Sequence, residues 1–234
     1  MIHGLIFDFD GLILDTELPD FESWQEMFIE HGAELPRAEW APLIGTVTDS
    51  FDIYDYLEQR AGRAIDREDV RERRRARYHE RVIEQMILPG VEECITAAKR
   101  RGLKVGLASA ATAEWVLGHL ERLGLHVHFD TVKTAADVER VKPDPALYLA
   151  ALDALGLDAT EAIALEDSPN GIAAAKAAGL FCVAIPNAMT RDLDISAADL
   201  RLTSLADLPL AELLEIAENR RTGDERTRMR KEKS

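Results

Sequence analysis

Lysine is missing from a long stretch of this chain: none occurs between Asp15 and Pro89. Any chemistry that needs a lysine amine must therefore come from elsewhere. Cysteine is nearly missing too, with only Cys94 and Cys182. Two cysteines in apolar patterns, one helical and one strand-like, build neither a disulfide framework nor a zinc site, and are read as buried thiols. No apolar run approaches the roughly 20 residues that span a bilayer. The N-terminus lacks the basic and long apolar regions of a signal peptide, so a cytoplasmic location is expected. Cations are scarce overall: 28 Lys and Arg face 43 Asp and Glu, a formal net charge of −15. Such a surface repels polyphosphate backbones and anionic membranes, which argues against nucleic-acid or membrane partners. It still admits a small anionic substrate wherever a pocket supplies local cations.

What is present is a rhythm. Of 234 residues, 47% are hydrophobic, enough for a real core. Short β-branched runs at Leu5–Phe9, Leu103–Ala108, Phe129–Lys133, Ala162–Leu165 and Phe181–Ile185 alternate with helical patterns. Gly102, Gly124, Gly156 and Gly179 each follow an amphipathic segment, as helix stops do. Strands apolar on both faces and alternating with helices predict an α/β, doubly wound, Rossmann-like parallel sheet. The rhythm breaks from Asp15 to Pro89, which reads as four helices near Pro19–His31, Arg37–Leu43, Ser50–Ala61 and Arg67–Met86, the last capped by Asp66. The expected organisation is a core of residues 1–14 and 89–218, a helical insert of residues 15–88, and a frayed, charge-dense tail of residues 219–234.

The strand ends carry the chemistry. Asp8 and Asp10 close the first strand, in Phe7-Asp8-Phe9-Asp10-Gly11. Carboxylates in so apolar a run are costly to bury unless paired, hydrogen-bonded or metal-bound. Gly11 permits a tight reversal and close backbone approach to a ligand. Glu166 and Asp167 close the fourth strand, before Ser168 and Pro169, which read as a helix cap and first helical residue. The four acids offer hard oxygen ligands suited to Mg²⁺. Lys142, after strand three, is placed to neutralise them and to hold a phosphoryl oxygen. Ser109, ending strand two beside Ala110, is a helix cap when taken alone and a phosphoryl donor in this company. Ligands of parallel sheets bind at this carboxyl rim.

Asp8-Phe9-Asp10-Gly11 with Asp15-Thr16-Glu17, then Ser109, Lys142 and Glu166-Asp167-Ser168-Pro169-Asn170-Gly171, resembles the four motifs of the haloacid-dehalogenase-like superfamily, in its order and spacing from Met1 to about Leu208. The resemblance implies strand order 5-4-1-2-3, a helical cap inserted after strand one, and a Mg²⁺-dependent phosphatase for a small phosphorylated metabolite. It implies that Asp8 attacks phosphorus to give an aspartyl-phosphate, and that Asp10 acts as general acid and then base. Mg²⁺ would be held by Asp8, the Asp10 carbonyl and Asp167, with Glu166 as ligand or supporting acid. Gly11, Ser109, Ala110 and Lys142 would bind the transferring group. Neighbouring carboxylates are expected to raise the pKa of Asp10.

Relatives are separated by departures. The dehalogenase branch lacks the second aspartate, and phosphonatases need a cap lysine. A β-phosphoglucomutase-like enzyme would place a histidine, an arginine and a Ser-Lys-Asn stretch where this chain has Asp20, Thr48 and Ala111-Thr112-Ala113. Phosphatase is favoured, with mutase second. A phospho-accepting signalling module is disfavoured, being about half as long and without the insert. Asp20, Trp24, Trp40 and Thr48 are candidates for lining the substrate pocket; packing within the cap is the alternative for the tryptophans. The run Arg71–Arg77 reads as a solvated helix face, one arginine of which would reach a substrate anion. The chain is expected to be a monomer or homodimer.

Overall fold

Gly4–Phe7, the first strand β1, is buried along its whole length. Its neighbours explain why, because it lies in the middle of a parallel sheet. The computed structural model describes residues 1–40, 44 and 51–231, with side chains as far as 220. After β1 come four helices: α1 (Glu17–Glu30), α2 (Arg37–Trp40), α3 (Ile53–Ala61) and α4 (Arg67–Glu84). Alternation then resumes with α5 (Val91–Arg100), β2 (Lys104–Ala108), α6 (Ala113–Arg122), β3 (Thr131–Lys133), α7 (Ala146–Leu155) and β4 (Ala162–Glu166). The last elements are α8 (Pro169–Ala177), β5 (Phe181–Ala184), β6 (Leu200–Arg201) and α9 (Leu210–Lys231).

The sheet order is β3-β2-β1-β4-β5-β6, with every pairing parallel. This is the expected order with one strand added at the edge. β6 is two residues long and has no apolar run to announce it. β3 begins at Thr131, two residues after the expected Phe129. Successive residues of each strand bury on opposite faces. Leu5, Phe7, Val105, Leu107, Leu165 and Val183 pack with residues of α5, α6 and α9. Ile6, Ala108, Ala162, Ala164, Cys182 and Ala184 pack with residues of α7 and α8. Both cysteines are free and buried.

The helices between β1 and α5 have their own core, built from Phe21, Trp24, Met27, Phe28, Leu35, Trp40, Leu57 and Val70. Asp52 and Asp66 cap α3 and α4, each side chain accepting from two backbone N–H groups. The two connectors to these helices are bonded to each other: Leu14 bridges Ile87 in antiparallel sense, and Leu88 N–H donates to Ile13 O at 2.9 Å. At the other end the frayed tail is corrected. α9 continues to Lys231, because its buried Leu210, Leu213 and Ala217 anchor a helix that the charged residues beyond can prolong. No described helix is long and apolar enough to cross a membrane.

Candidate active site

β1 ends at Phe7, and the next residues deliver their side chains to the carboxyl rim of the sheet. Asp8 is buried, and Asp8 and Asp10 both line a cavity of about 440 Å³. Gly11 turns the chain with φ +77°; a Cβ there would collide with Asp167 and Asn187, so glycine is required by space as well as by angle. β4 ends in Glu166, followed by Asp167, both fully buried. Ser168 caps α8 by accepting from Gly171 N–H at 3.2 Å, with Pro169 at the first helical position, as the sequence suggests. Gly171 has a second duty, since a Cβ on it would fall on the Glu166 carboxylate.

Lys142 is the hub of this acid cluster. Its Nζ lies 2.7 Å from Asp8 Oδ1 and 2.7 Å from Glu166 Oε1. Burial works against its charge, but the two carboxylates more than offset that and hold its pKa above the ordinary lysine value. Glu166 Oε1 also accepts from Tyr148 Oη at 2.5 Å, while its Oε2 has no hydrogen-bond partner. Burial, then the charge of Asp8, raise Glu166 to about 7 against the pull of Lys142 and Tyr148. Asp167 is raised well above the carboxylate range by burial and by repulsion from Asp8, Glu166 and Glu17. Asn187 Nδ2 donates to Asp167 Oδ2 at 2.7 Å and to Gly11 O at 3.1 Å.

Asp10 lies apart from the lysine. It is raised to about 6, first by burial and second by the charge of Asp8. Neighbouring carboxylates, the cause expected from the sequence, come second to removal from water. Trp115 Nε1 donates to Asp10 Oδ1 at 2.9 Å, and Ser109 Oγ stands 3.4 Å from Oδ2. Ser109 is fully buried, its hydroxyl accepting from Ala111 N–H at 3.0 Å. Ala110 is in the cavity wall.

On the helical side the wall includes Thr16, Glu17, Asp20, Ile44 and Tyr78. Asp20 is ion-paired with Arg74 of α4. Trp24 and Trp40 are buried among the helices and are not in the wall. Thr48 lies outside the described residues. The arginine run is a solvated face in the main, with Arg71, Arg73 and Arg75 exposed, while Arg73 and Arg77 also reach Glu30 of α1 and the half-buried Arg74 stands over the rings of Trp24 and Tyr78.

Asp8, Glu166 and Asp167 offer oxygens within 4.8 Å of one another. Three buried acids facing one lysine, one with an unpartnered oxygen, form a donor set that suits a hard cation. A buried acid cluster with a bridging lysine and a second aspartate held apart is a fitting frame for transfer of an anionic group.

A family model described as haloacid dehalogenase-like hydrolase matches residues 5–185. The chain belongs to that family. This hydrolase is 47% identical to YhcW of Bacillus subtilis (strain 168) over 215 residues, 92% of this chain and 97% of the relative. It is 34% identical to hexitol phosphatase B of Escherichia coli (strain K12) over 216 residues, 91% and 97% of the two chains. Among solved structures it resembles β-phosphoglucomutase from Clostridium difficile, with TM-score 0.75, 25% identity and coverage of 95% and 100%. The hydrolase is accordingly a phosphoric monoester hydrolase. Sequence reasoning missed three of its site residues. Tyr148 is a lone polar tip in the apolar helix Ala146–Leu155, and Asn187 follows a strand end; both were signals of a kind. Trp115, in an ordinary amphipathic pattern, gave none.

Proposed function

We propose that this hydrolase releases phosphate from the monophosphate of a small, neutral, hydroxylated metabolite of the sugar or sugar-alcohol type, with Asp8 as nucleophile and Mg²⁺ as cofactor. The observation that carries the reading is the convergence of Asp8, Asp10, Lys142 and Asp167 on one cavity, with Ser109 3.4 Å from Asp10. Residues 1–14 and 89–218 act as the catalytic core, and residues 15–88 as a cap that selects the substrate.

An Asp8 carboxylate oxygen attacks phosphorus, and the bond to the leaving oxygen breaks. Asp10, whose raised pKa keeps more of it protonated near neutrality than an exposed aspartate, gives its proton to that oxygen. Water then attacks the aspartyl-phosphate, Asp10 takes a proton from it, and phosphate leaves with Asp8 regenerated. Lys142, fixed by Glu166, supplies positive charge beside the nucleophile. Asp8, Asp167 and the Asp10 carbonyl would hold Mg²⁺, with Glu166 behind them, and the ion would offset repulsion between the carboxylate and the phosphate.

Charge in the cavity favours a phosphatase over a mutase. Lys142 is the one cation among the described wall residues, and residues 41–50 contain neither lysine nor arginine. A second phosphate would find no further cation in that wall, only Glu17 and the Asp20 carboxylate, which is already paired with Arg74. Those acids suit hydroxyl groups, and the activity named for the Escherichia coli relative is on hexitol phosphates. The test is phosphate release from a panel of phosphorylated metabolites, with and without Mg²⁺, beside Asp8→Ala. Release from sugar-alcohol or sugar monophosphates that needs both Mg²⁺ and Asp8 is expected. Full release by Asp8→Ala, or hexose-phosphate interconversion in place of release, would overturn the reading.

A further inference from the structure

Trp115 touches the general acid directly, and it is itself held from the helical insert. Its indole Nε1–H lies 2.9 Å from Asp10 Oδ1. Its ring stacks on Tyr78 of α4, centroids 5.5 Å apart and planes 14° apart, and meets His119 edge-on at 4.3 Å. Tyr78 is fixed in turn. The Arg74 guanidinium stands 4.7 Å above its ring, and Arg74 is anchored by Asp20 and by Ser23 Oγ, 3.0 Å from its Nε. The line Asp20–Arg74–Tyr78–Trp115–Asp10 thus starts on one cavity-wall residue and ends on another, crossing from the insert to the core.

An indole N–H can only donate. It therefore fixes Oδ1 as an acceptor, while Oδ2 faces Ser109 Oγ at 3.4 Å. Without the short bond from Trp115 the carboxyl group keeps the longer contact with Ser109 at Oδ2, so its angle about the last torsion, and its aim at the leaving oxygen, are less closely set. We propose that Trp115 is the positioning residue for Asp10, holding its carboxyl group in one orientation toward the leaving oxygen, and that Tyr78 stacked on it makes this pose depend on the helical insert covering the site. The proposal rests on the phosphatase reading above, in which Asp10 protonates the leaving oxygen.

The experiment compares two esters by kcat/KM, which covers the steps through departure of the leaving group. An alkyl monophosphate needs its leaving oxygen protonated, whereas p-nitrophenyl phosphate releases a stable phenolate and does not. Trp115→Phe keeps an aromatic ring beside Tyr78 and loses the N–H together with the second ring of the indole. It should lower kcat/KM for the alkyl ester about ten- to a hundredfold, the scale of a lost hydrogen bond to an ionisable group, and leave the aryl ester nearly unchanged. In an Asp10→Asn background the same substitution should cost almost nothing more on the alkyl ester. Tyr78→Leu keeps the donor but removes its support, and should show the same split at smaller size; it also carries the test if Trp115→Phe fails to fold. Equal loss on both esters, with wild-type turnover intact, overturns this proposal alone. A split in Trp115→Phe but none in Tyr78→Leu overturns the dependence on the insert. No Asp8-dependent release of phosphate from either ester by the wild-type chain overturns the phosphatase reading and this proposal with it.

Discussion

Glu17 shows how much charge the cavity wall is asked to hold. Burial, then the carboxylates of Asp10, Asp8 and Asp15, push it up to about 8. The folded chain keeps its proton to about that pH, while an unfolded glutamate loses it near 4.5. Its contribution to stability is therefore whole below 4.5 and is lost as pH rises through 8. Glu17→Gln should be more stable than wild type at pH 8.5, by something on the order of 2–4 kcal/mol, and by less than about 1 at pH 5. Urea unfolding in metal-free buffer at the two pH values measures this, and a gap that widens toward low pH would contradict it. At the same scale, the acids were legible because each stands at or just past a strand end, where local pattern and ligand position coincide, and Lys142, in the connection from β3 to α7, was legible as the cation that follows strand three. Trp115 was not legible. Its bond to Asp10 joins residues 105 apart in sequence, and no local period records such a meeting.

Among the elements, α4 shows what a local pattern can and cannot announce. Its cap at Asp66 is readable from sequence, because the side chain bonds N–H groups only two and three residues on, at 3.1 and 3.2 Å. Asp66→Ala should lower stability by about 1 kcal/mol, seen as a lower urea midpoint with unchanged slope; an unchanged midpoint would show that the cap contributes nothing. The arginine run on the same helix reads as a solvated face, yet Arg73, Arg77 and Arg81 meet Glu22, Glu26 and Glu30 of α1. A four-residue spacing of glutamates on one helix and arginines on another gives matching stripes only once the helices pack. Each exposed pair is worth little, about 0–1 kcal/mol, so the ladder sets alignment more than stability. β6, with two residues, lay below what any periodicity can resolve.

For the whole molecule, a net charge of −15 adds its field to the local crowding of Asp8, Glu166 and Asp167. A divalent cation bound there relieves both. If Mg²⁺ binds only the folded chain, a concentration a hundredfold above its dissociation constant adds about 2.7 kcal/mol, or roughly 5–10 °C in Tm for a chain of this length. Thermal unfolding with and without Mg²⁺ should show that rise, and Asp167→Asn should lose most of it. An equal rise in the variant would place the ion elsewhere. The parallel sense of the sheet follows from alternating apolar runs and helices, and its strand order from the family resemblance, so the global plan was the most legible level of all. The contacts that seat the insert over the rim were not, because they join residues far apart in sequence, such as Tyr78 on Trp115.

The paired connectors at Ile13–Leu14 and Ile87–Leu88 give the chain a single doorway: it leaves the sheet and comes back at one place. Everything between is, in topological terms, an embellished loop whose deletion would leave the strand order untouched. One insert could be exchanged for another at that doorway while Asp8 and Asp10, just beyond β1, keep their place on the rim.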